Sequence, residues 1–170
     1  HIALREIPDC LTAELVSEKG SILYRSLVQD FGIKKPRIAL CGLNPHCGEE
    51  GRFGDEEHTI LEPALDNLRK SGGEWTGPLP ADTLFEKSII SKFDAILALY
   101  HDQGLIPFKM YCGFTGVNFT AGLPLVRTSP DHGVASDIAG KGQADARGFK
   151  EAIALAAQVA SRRAGRTGTD

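Results

Sequence analysis

The chain has 170 residues and a formal net charge of −3, with 42% hydrophobic and 24% charged residues. This composition is typical of a globular protein, and the near-balanced charge gives no indication of a nucleic-acid or anionic-membrane partner. No apolar run approaches the roughly 18–20 residues that a membrane-spanning helix needs. The four cysteines are scattered without a CxxC pair, which favours a reduced, cytoplasmic protein. Because the chain begins at His1 and its single methionine is Met110, we expect it to be a piece of a longer polypeptide.

The first half of the chain alternates between helical and strand-like patterns, which indicates an α/β architecture. An amphipathic helix is expected between an N-cap at Thr12 and a stop at Gly32. Residues 37–42 are predicted to form a strand, and residues 43–51 are a loop rich in turn-forming residues. A second helix is predicted over residues 59–70.

The middle of the chain contains the most informative apolar run. Residues 77–82 are predicted to be a stiff loop because they combine Gly and Pro, and residues 83–88 a short helix. Residues 94–100 are apolar after the initial Asp94, which predicts a strand buried on both faces. The polar residues from His101 onward are expected to form a loop at the end of that strand.

The last third of the chain has shorter elements. Short strands are predicted over residues 117–120 and 125–128, followed by a glycine-rich loop over residues 130–142. Residues 147–163 are predicted to form a closing helix, and residues 164–170 a polar, frayed tail.

Histidine and aspartate residues follow the predicted strands. His46 and His101 each come just after an apolar strand, and Asp82 and Asp102 lie in similar loops. Ligands of open α/β sheets bind beyond the carboxyl ends of the strands, and two imidazoles with carboxylates suit a divalent metal. The alternative is a solvated loop that happens to contain histidine, since no compact motif joins the two residues. His58, beside two glutamates, is interpreted as a surface residue.

A second candidate segment is residues 131–142, which contain three glycines, small residues and an acid. Such a backbone can approach a ligand closely and offer its N–H groups. The segment has neither the GxGxxG dinucleotide pattern nor a P-loop, and the alternative is an ordinary surface loop.

Several motifs together resemble one known family. They are Pro45-His46-Cys47-Gly48-Glu49, Pro80-Ala81-Asp82-Thr83, Tyr100-His101-Asp102-Gln103-Gly104, Gly116-Val117-Asn118 and Arg127-Thr128-Ser129-Pro130-Asp131-His132-Gly133. The combination resembles the 4-hydroxythreonine-4-phosphate dehydrogenase family of pyridoxal phosphate (pyridoxine) biosynthesis, which also contains relatives acting on phosphorylated threonate and erythronate. The resemblance runs through essentially the whole chain but covers only the C-terminal half of a family member.

The resemblance implies a three-layer α/β fold like that of isocitrate and isopropylmalate dehydrogenases, incomplete in this chain. Residues 1–115 would form a metal-binding and dimer-forming domain, and residues 116–170 the C-terminal part of the NAD-binding domain. The family's three metal-binding histidines fall on His1, His46 and His101, and its substrate-binding residues on Lys109, Asn118 and Arg127. The residues expected to contact NAD or NADP are His132, Gly133, Ala135, Asp137 and Ile138. One departure is Cys47, where the family commonly has alanine.

The resemblance implies NAD-dependent oxidation of 4-phosphooxy-threonine at its C3 hydroxyl, followed by decarboxylation to 3-amino-2-oxopropyl phosphate. A divalent metal (zinc, magnesium or cobalt) would stabilise the developing alkoxide and the enolate. The expected catalytic residues are Asp102, Asp82 and Lys109. Either aspartate could orient metal-bound groups or relay the proton, while Lys109 and Arg127 suit the phosphate and carboxylate of the substrate.

The expected partners are a phosphorylated small molecule and a second copy of the chain. In the resembled family the metal site is shared between two subunits, so we expect a homodimer. Two alternatives remain open: a related dehydrogenase acting on phosphorylated threonate or erythronate, and a catalytically inactive, metal-binding dimeric fragment.

Overall fold

A computed structural model of the chain describes residues 1–166. The helices are α1 (Ile7–Cys10), α2 (Ala13–Gln29), α3 (Glu62–Ser71), α4 (Ala81–Leu84), α5 (Lys87–Ile90), α6 (His101–Cys112) and α7 (Arg147–Arg166). The strands are β1 (Arg37–Cys41), β2 (Glu74–Leu79), β3 (Ala95–Leu97), β4 (Val117–Phe119) and β5 (Thr128–Pro130). A turn of π-helix over Glu57–Leu61 leads into α3, and 3-10 turns lie at Leu4–Glu6, Pro45–Gly48, Gly113–Thr115 and Ser136–Ile138. Within the described residues, no helix has the length and apolarity needed to cross a membrane.

Three layers are built around a parallel sheet of order β2-β1-β3. Central strand β1 is buried on both faces because alternate side chains point to opposite sides. Ile38 and Leu40 join the apolar cluster formed with α2 and α3. Ala39 and Cys41 join the cluster on the other face, around Leu84 of α4. This helix–sheet–helix arrangement confirms the predicted α/β class.

Helix α2 begins where the sequence predicts, because the Thr12 side chain accepts a hydrogen bond from the Leu15 N–H at 3.1 Å. It packs against α3 through Gly20. A side chain at that position would meet Leu68 at 2.7 Å and Trp75 at 3.0 Å. Only glycine therefore allows both buried side chains to fill the interface, and burying a leucine stabilises a fold by about 1.5–3 kcal/mol.

The antiparallel β4–β5 hairpin and α7 pack together and attach to the end of α2. The Thr128 hydroxyl donates to the carbonyl of Ala152 on α7 at 2.8 Å. Phe119 meets Phe31 edge to face, with ring centroids 5.4 Å apart. Arg163 forms an ion pair of 2.7 Å with buried Asp30. These contacts join the C-terminal third to the helical layer.

Two predicted loops are wrong, because tertiary contacts override the local Gly and Pro signals. Strand β2 includes part of the predicted loop over residues 77–82; it lies at the edge of the described sheet, where proline is tolerated. The segment after β3 is helix α6 rather than a loop, although it contains Gly104 and Pro107. Strand β3 is also shorter and only half-buried, since no further strand covers its outer edge within residues 1–166.

The remaining differences are shifts in position. The short helix predicted over residues 83–88 is two helices, α4 and α5, and the strand predicted over residues 125–128 is β5. Helix α7 forms where a closing helix is predicted and buries Ala152 and Val159, whereas Phe149 and Ile153 are 59% and 55% exposed. Residues 164–166 of the predicted tail continue α7, and residues 167–170 lie outside the described part of the chain.

Candidate functional site

The carboxyl ends of β1 and β3 lie side by side, because the two strands are parallel neighbours. His46 lies in the loop after β1, and His101 is the first residue of α6, shortly after β3. This is the edge of the sheet at which α/β proteins bind ligands.

The loop that carries His46 has a backbone conformation that few residues adopt. His46, Cys47, Glu49 and Glu50 all have φ between 43° and 56°, and Gly48 has φ of 82°. The left-handed conformation costs roughly 1–2 kcal/mol for each residue with a side chain. Contacts elsewhere must therefore hold this loop in place.

Glu57 supplies those contacts. Its side chain is buried, and Oε1 accepts the backbone N–H groups of Leu43 and Asn44, both at 2.7 Å. Oε2 accepts the Asn44 side-chain amide at 2.9 Å. A side chain on Gly48 would meet the Gly54 carbonyl at 2.6 Å, so the loop closes tightly over the glutamate. Hydrogen bonds to a carboxylate are about twice as strong as neutral ones.

Gln103 holds the start of α6 in a comparable way. Its Nε2 donates to the Gly42 carbonyl at 2.7 Å, and its Oε1 accepts the Leu99 N–H at 2.8 Å. The side chain is 7% exposed. One buried amide therefore ties the ends of β1 and β3 to the helix that begins with His101.

A cavity of about 620 Å³ opens beside this helix start, lined by His1, residues of α1, Leu99, Tyr100, His101 and Asp102. The rings of His1 and His101 are 5.0 Å apart between centroids. The Nδ1 atom of His101 lies 2.7 Å from Asp102 Oδ1. A carboxylate on Nδ1 leaves Nε2 available for a metal, as in many metal-binding histidines.

The structure brings together two of the three predicted metal ligands. Two imidazoles and a nearby carboxylate are donors that divalent metals accept. His46 is not part of this ring pair, and its ring lies 6.5 Å from that of Phe53 between centroids. Among residues 1–166, no group of three or more His, Cys, Asp or Glu side chains is arranged to hold a metal ion.

Asp82, the other predicted catalytic carboxylate, lies on α4 near Cys47. Burial, with the carboxylates of Glu57 and Asp82, raises the pKa of the Cys47 thiol to about 11. The raised pKa disfavours the thiolate form, which is the form that binds metals.

Two of the three predicted substrate-binding residues lie along one face of the β4–β5 hairpin. Asn118 pairs with Ser129, while Phe119 pairs with Thr128 and faces the helices. Because cross-strand partners share a face and side chains alternate, Asn118 and Arg127 lie on the opposite, exposed face. The Arg127 guanidinium donates to the Thr120 hydroxyl at 2.9 Å, which fixes its direction.

Lys109 joins the end of this face. It lies near the C-terminus of α6, and its Nζ donates to Asp131 Oδ2 at 2.8 Å. Its side chain is 52% exposed, so one flank of the ammonium is open to a ligand.

The five predicted NAD-binding residues lie on one solvent-facing loop after β5. His132 Nδ1 donates to the Gly133 carbonyl at 3.0 Å, and a 3-10 turn covers Ser136–Ile138. Within the described chain, a side chain added at Gly133 would meet no atom within 4 Å. The loop is therefore accessible to a large ligand.

Three residues that hold the site were not predicted from the sequence: Glu57, Gln103 and Asp131. Gln103 and Asp131 lie within the recognised motifs, so the motifs pointed to these positions but not to the roles of the two side chains. Glu57 resembles part of an exposed acidic pair, and only its contacts over fourteen residues identify it.

Comparison with known proteins shows which family this chain is similar to. The family model described as pyridoxal phosphate biosynthetic protein PdxA matches residues 1–156. A 4-hydroxythreonine-4-phosphate dehydrogenase of Chromobacterium violaceum is 52% identical over 160 residues, covering 94% of this chain and 49% of the relative. The corresponding protein of Caulobacter vibrioides is 49% identical over 163 residues, covering 96% and 49%. The chain thus spans about half the length of the curated relatives it matches.

Solved structures described as 4-hydroxythreonine-4-phosphate dehydrogenases are also similar to this chain in fold. The crystal structure of 4-hydroxythreonine-4-phosphate dehydrogenase from Klebsiella pneumoniae matches with a TM-score of 0.79 and 42% identity, covering 96% of this chain and 48% of that one. A terephthalate 1,2-cis-dihydrodiol dehydrogenase from Burkholderia xenovorans matches with a TM-score of 0.71 and 32% identity, covering 93% and 50%. The predicted resemblance and fold class are confirmed.

Proposed function

This chain belongs to the family of the pyridoxal phosphate biosynthetic protein PdxA, and on that premise we propose that it forms part of an NAD-dependent, metal-requiring dehydrogenase. The proposed reaction is oxidation of 4-phosphooxy-threonine at its C3 hydroxyl, followed by decarboxylation to 3-amino-2-oxopropyl phosphate. Residues 1–115 would supply the metal site and the dimer contacts, and residues 116–170 part of the NAD site. The relatives are about twice as long, and the proposed activity would include the regions that they have in addition.

One observation carries the proposal: an imidazole–carboxylate site and a cationic face lie on the two ends of the same helix. His101 and Asp102 begin α6, and Lys109 near its other end turns toward the hairpin face with Arg127. With a rise of 1.5 Å per residue, the eight steps from His101 to Lys109 separate their backbones by about 12 Å along the helix. A small hydroxy acid is shorter than this, so the long side chains of His101 and Lys109 would have to reach toward each other for its hydroxyl to be held at one end and its phosphate at the other.

Each residue then has a defined task. Lys109 and Arg127 bind the anionic groups of the substrate, and Asn118 orients it between them. Asp102 would fix the His101 ring, and either Asp102 or Asp82 would accept or relay the hydroxyl proton. A bound divalent metal would lower the pKa of the alcohol and NAD would supply the hydride acceptor.

We further propose that a second copy of the chain completes the metal site. Support comes from His46, whose ring contacts Phe53 and not the His1–His101 pair, and from large apolar side chains left exposed. They include Ile2 and Leu4 before α1 and Ile106 and Met110 on α6, all more than half exposed. A stable symmetric interface would bury about 1,200 Å² or more in total.

A second substrate class stays open. The likeness to a structure described as a terephthalate 1,2-cis-dihydrodiol dehydrogenase favours a fold that accommodates different alcohols. Phosphorylated threonate or erythronate would fit the same cationic face. An inactive, metal-binding dimeric fragment is the remaining alternative.

Metal analysis tests the proposal directly. Wild-type protein should bind one divalent ion per site, and His101→Ala should lower the affinity by more than about 100-fold, because loss of a ligand exceeds the effect of removing its outer partner. His58→Ala is the matched control, since His58 is an exposed histidine that contacts Glu62 on α3. Unchanged stoichiometry and affinity in His101→Ala would contradict the metal site. Turnover of 4-phosphooxy-threonine, threonate phosphate and erythronate phosphate by the full-length gene product then separates the substrate classes.

A further inference from the structure

Lys109 is already engaged by a carboxylate that no predicted role included. Its ammonium donates to Asp131 Oδ2 at 2.8 Å and to the Asp131 carbonyl at 3.2 Å. The Asp131 side chain is 21% exposed and that of Lys109 is 52% exposed. An ammonium has three donors, so two directions are fixed by Asp131 and one remains for a ligand.

We propose that Asp131 is a positioning residue: it holds the Lys109 ammonium over the hairpin face and links that face to the start of the NAD-binding loop. The inference rests on the proposed function for its consequences in catalysis. The contact itself can be tested without any turnover.

Asp131 can hold Lys109 because its own backbone is fixed. Its N–H donates to the Gly116 carbonyl at 3.1 Å, which extends the ladder one step beyond the Val117–Pro130 pair. Gly116 is buried against the ring of Phe108, the residue that precedes Lys109 on α6. The hairpin and the helix therefore meet beside the ion pair, and the flexible lysine ends on a partner whose backbone is fixed.

The position of Asp131 in the ladder sets where the ammonium lies. Side chains alternate along a strand, so Asp131 follows Ser129 and Arg127 on the same face. Asn118, the cross-strand partner of Ser129, shares that face. Without Asp131, the four-carbon stem of Lys109 would be free to swing into solvent, since half of it is exposed.

The charge of Asp131 predicts a particular kinetic signature. A carboxylate repels an anionic substrate, so replacing it by an amide removes a repulsion as well as a positioning contact. The two effects oppose each other in ground-state binding, whereas misplacement of a binding group by about 1 Å can lower the rate of reaction 100-fold. Asp131→Asn should therefore lower kcat more than it raises the KM of the substrate. Because Asp131 also begins the loop over residues 131–142, the KM for NAD should rise in the same variant.

The first experiment measures the contact in the chain itself. Acetylation with acetic anhydride, followed by mass spectrometry, compares Lys109 with Lys150, an exposed lysine on α7. Lys109 should react several-fold more slowly than Lys150 in the wild type and at a similar rate in Asp131→Asn. Equal rates in the wild-type chain would overturn the inference, whatever the enzyme does. A failure of the proposed function leaves this result unaffected.

The second experiment is a double-mutant cycle in the full-length gene product, using Asp131→Asn, Lys109→Ala and both together. If Asp131 acts through Lys109, its substitution should lower kcat/KM about 10–100-fold in the wild-type background and have little effect in Lys109→Ala. Losses that multiply would show that the two residues act independently and would overturn the inference. Asp66→Asn, which removes an aspartate paired with Arg69 on α3, is the matched control and should leave the kinetics unchanged.

A further variant tests the role of Asp131 in case Asp131→Asn fails to fold. If Asp131→Asn does not fold, Asp131→Glu keeps the charge and lengthens the arm. This variant should restore slow acetylation of Lys109 while kcat stays below the wild-type value, because the ammonium is held in a shifted position. Full wild-type kcat together with fast acetylation of Lys109 would overturn the proposal.

Discussion

Substitution of Glu57 by glutamine should destabilise the protein and loosen the loop that carries His46. The glutamine oxygen can still accept the Leu43 and Asn44 N–H groups, but its amide nitrogen then faces the Asn44 side-chain amide, which is also a donor. One hydrogen bond is lost, and the other two are no longer strengthened by a negative charge on the acceptor oxygen. Since each hydrogen bond to a charged group contributes about 1.5–3 kcal/mol, we expect a loss of roughly 2–4 kcal/mol in the free energy of unfolding.

Glu56→Gln is the matched control. Glu56 is adjacent in sequence and accepts the same Asn44 amide at 2.7 Å, but its side chain is only half-buried. We expect a loss below about 1.5 kcal/mol for this variant. Comparison of the two variants separates the buried carboxylate from its partly exposed neighbour.

Urea denaturation measures both values, because Trp75 is the single tryptophan and lies buried in the core beside α2 and α3. The midpoint should fall while the slope with urea stays constant. Amide hydrogen exchange should also accelerate over residues 46–50 in Glu57→Gln, since a strained loop that loses its anchor opens locally. A difference between the two variants of less than about 0.5 kcal/mol, or unchanged exchange in the loop, would refute this account of how His46 is held.

Two other substitutions test separate parts of the structure. Gly133→Val in the full-length gene product should raise the KM for NAD far more than that for the phosphorylated substrate, because the position has open space in the described chain and the change spares folding; equal effects on both constants would mean that the loop is structural. Asp94→Asn should lower stability at pH 6 and flatten its acid dependence. Hydrogen bonds from the Arg37 side chain and backbone hold the pKa of Asp94 below its usual 3.8, so its contribution is present above that value and is lost as the pH falls through the lower, folded value. Urea midpoints at pH 6 and pH 3 provide the measurement, and parallel curves for variant and wild type would contradict it.

Elements with local signals could be predicted from the sequence. Helix α2 has a hydrogen-bonding N-cap at Thr12 and ends at Gln29, shortly before Gly32, and β1 is apolar after Arg37 and lies at the centre of its sheet. In each case the residues that define the element are also those that stabilise it. Local propensity and tertiary packing therefore agree there.

Elements whose stability comes from distant partners could not be predicted. Strand β2 forms because Trp75 pairs with Ile38 and enters the core, a contact over 37 residues that outweighs Gly77 and Pro78. Helix α6 starts where it does because Gln103 bonds Gly42 and Leu99. The local sequence of either segment gives no indication of these distant contacts.

The candidate metal site shows how much of a ligand set can be predicted from the fact that two strands are neighbours. Residues that come after neighbouring parallel strands do begin at the same edge of the sheet, as His46 and His101 do. The segment after each strand then decides where the side chain goes: a left-handed turn held by Glu57 carries His46 toward Phe53, while α6 directs His101 to His1 and α1. Two histidines that follow neighbouring strands can therefore still be separated from each other within one chain. This separation is the physical reason to look for the third ligand on a second subunit.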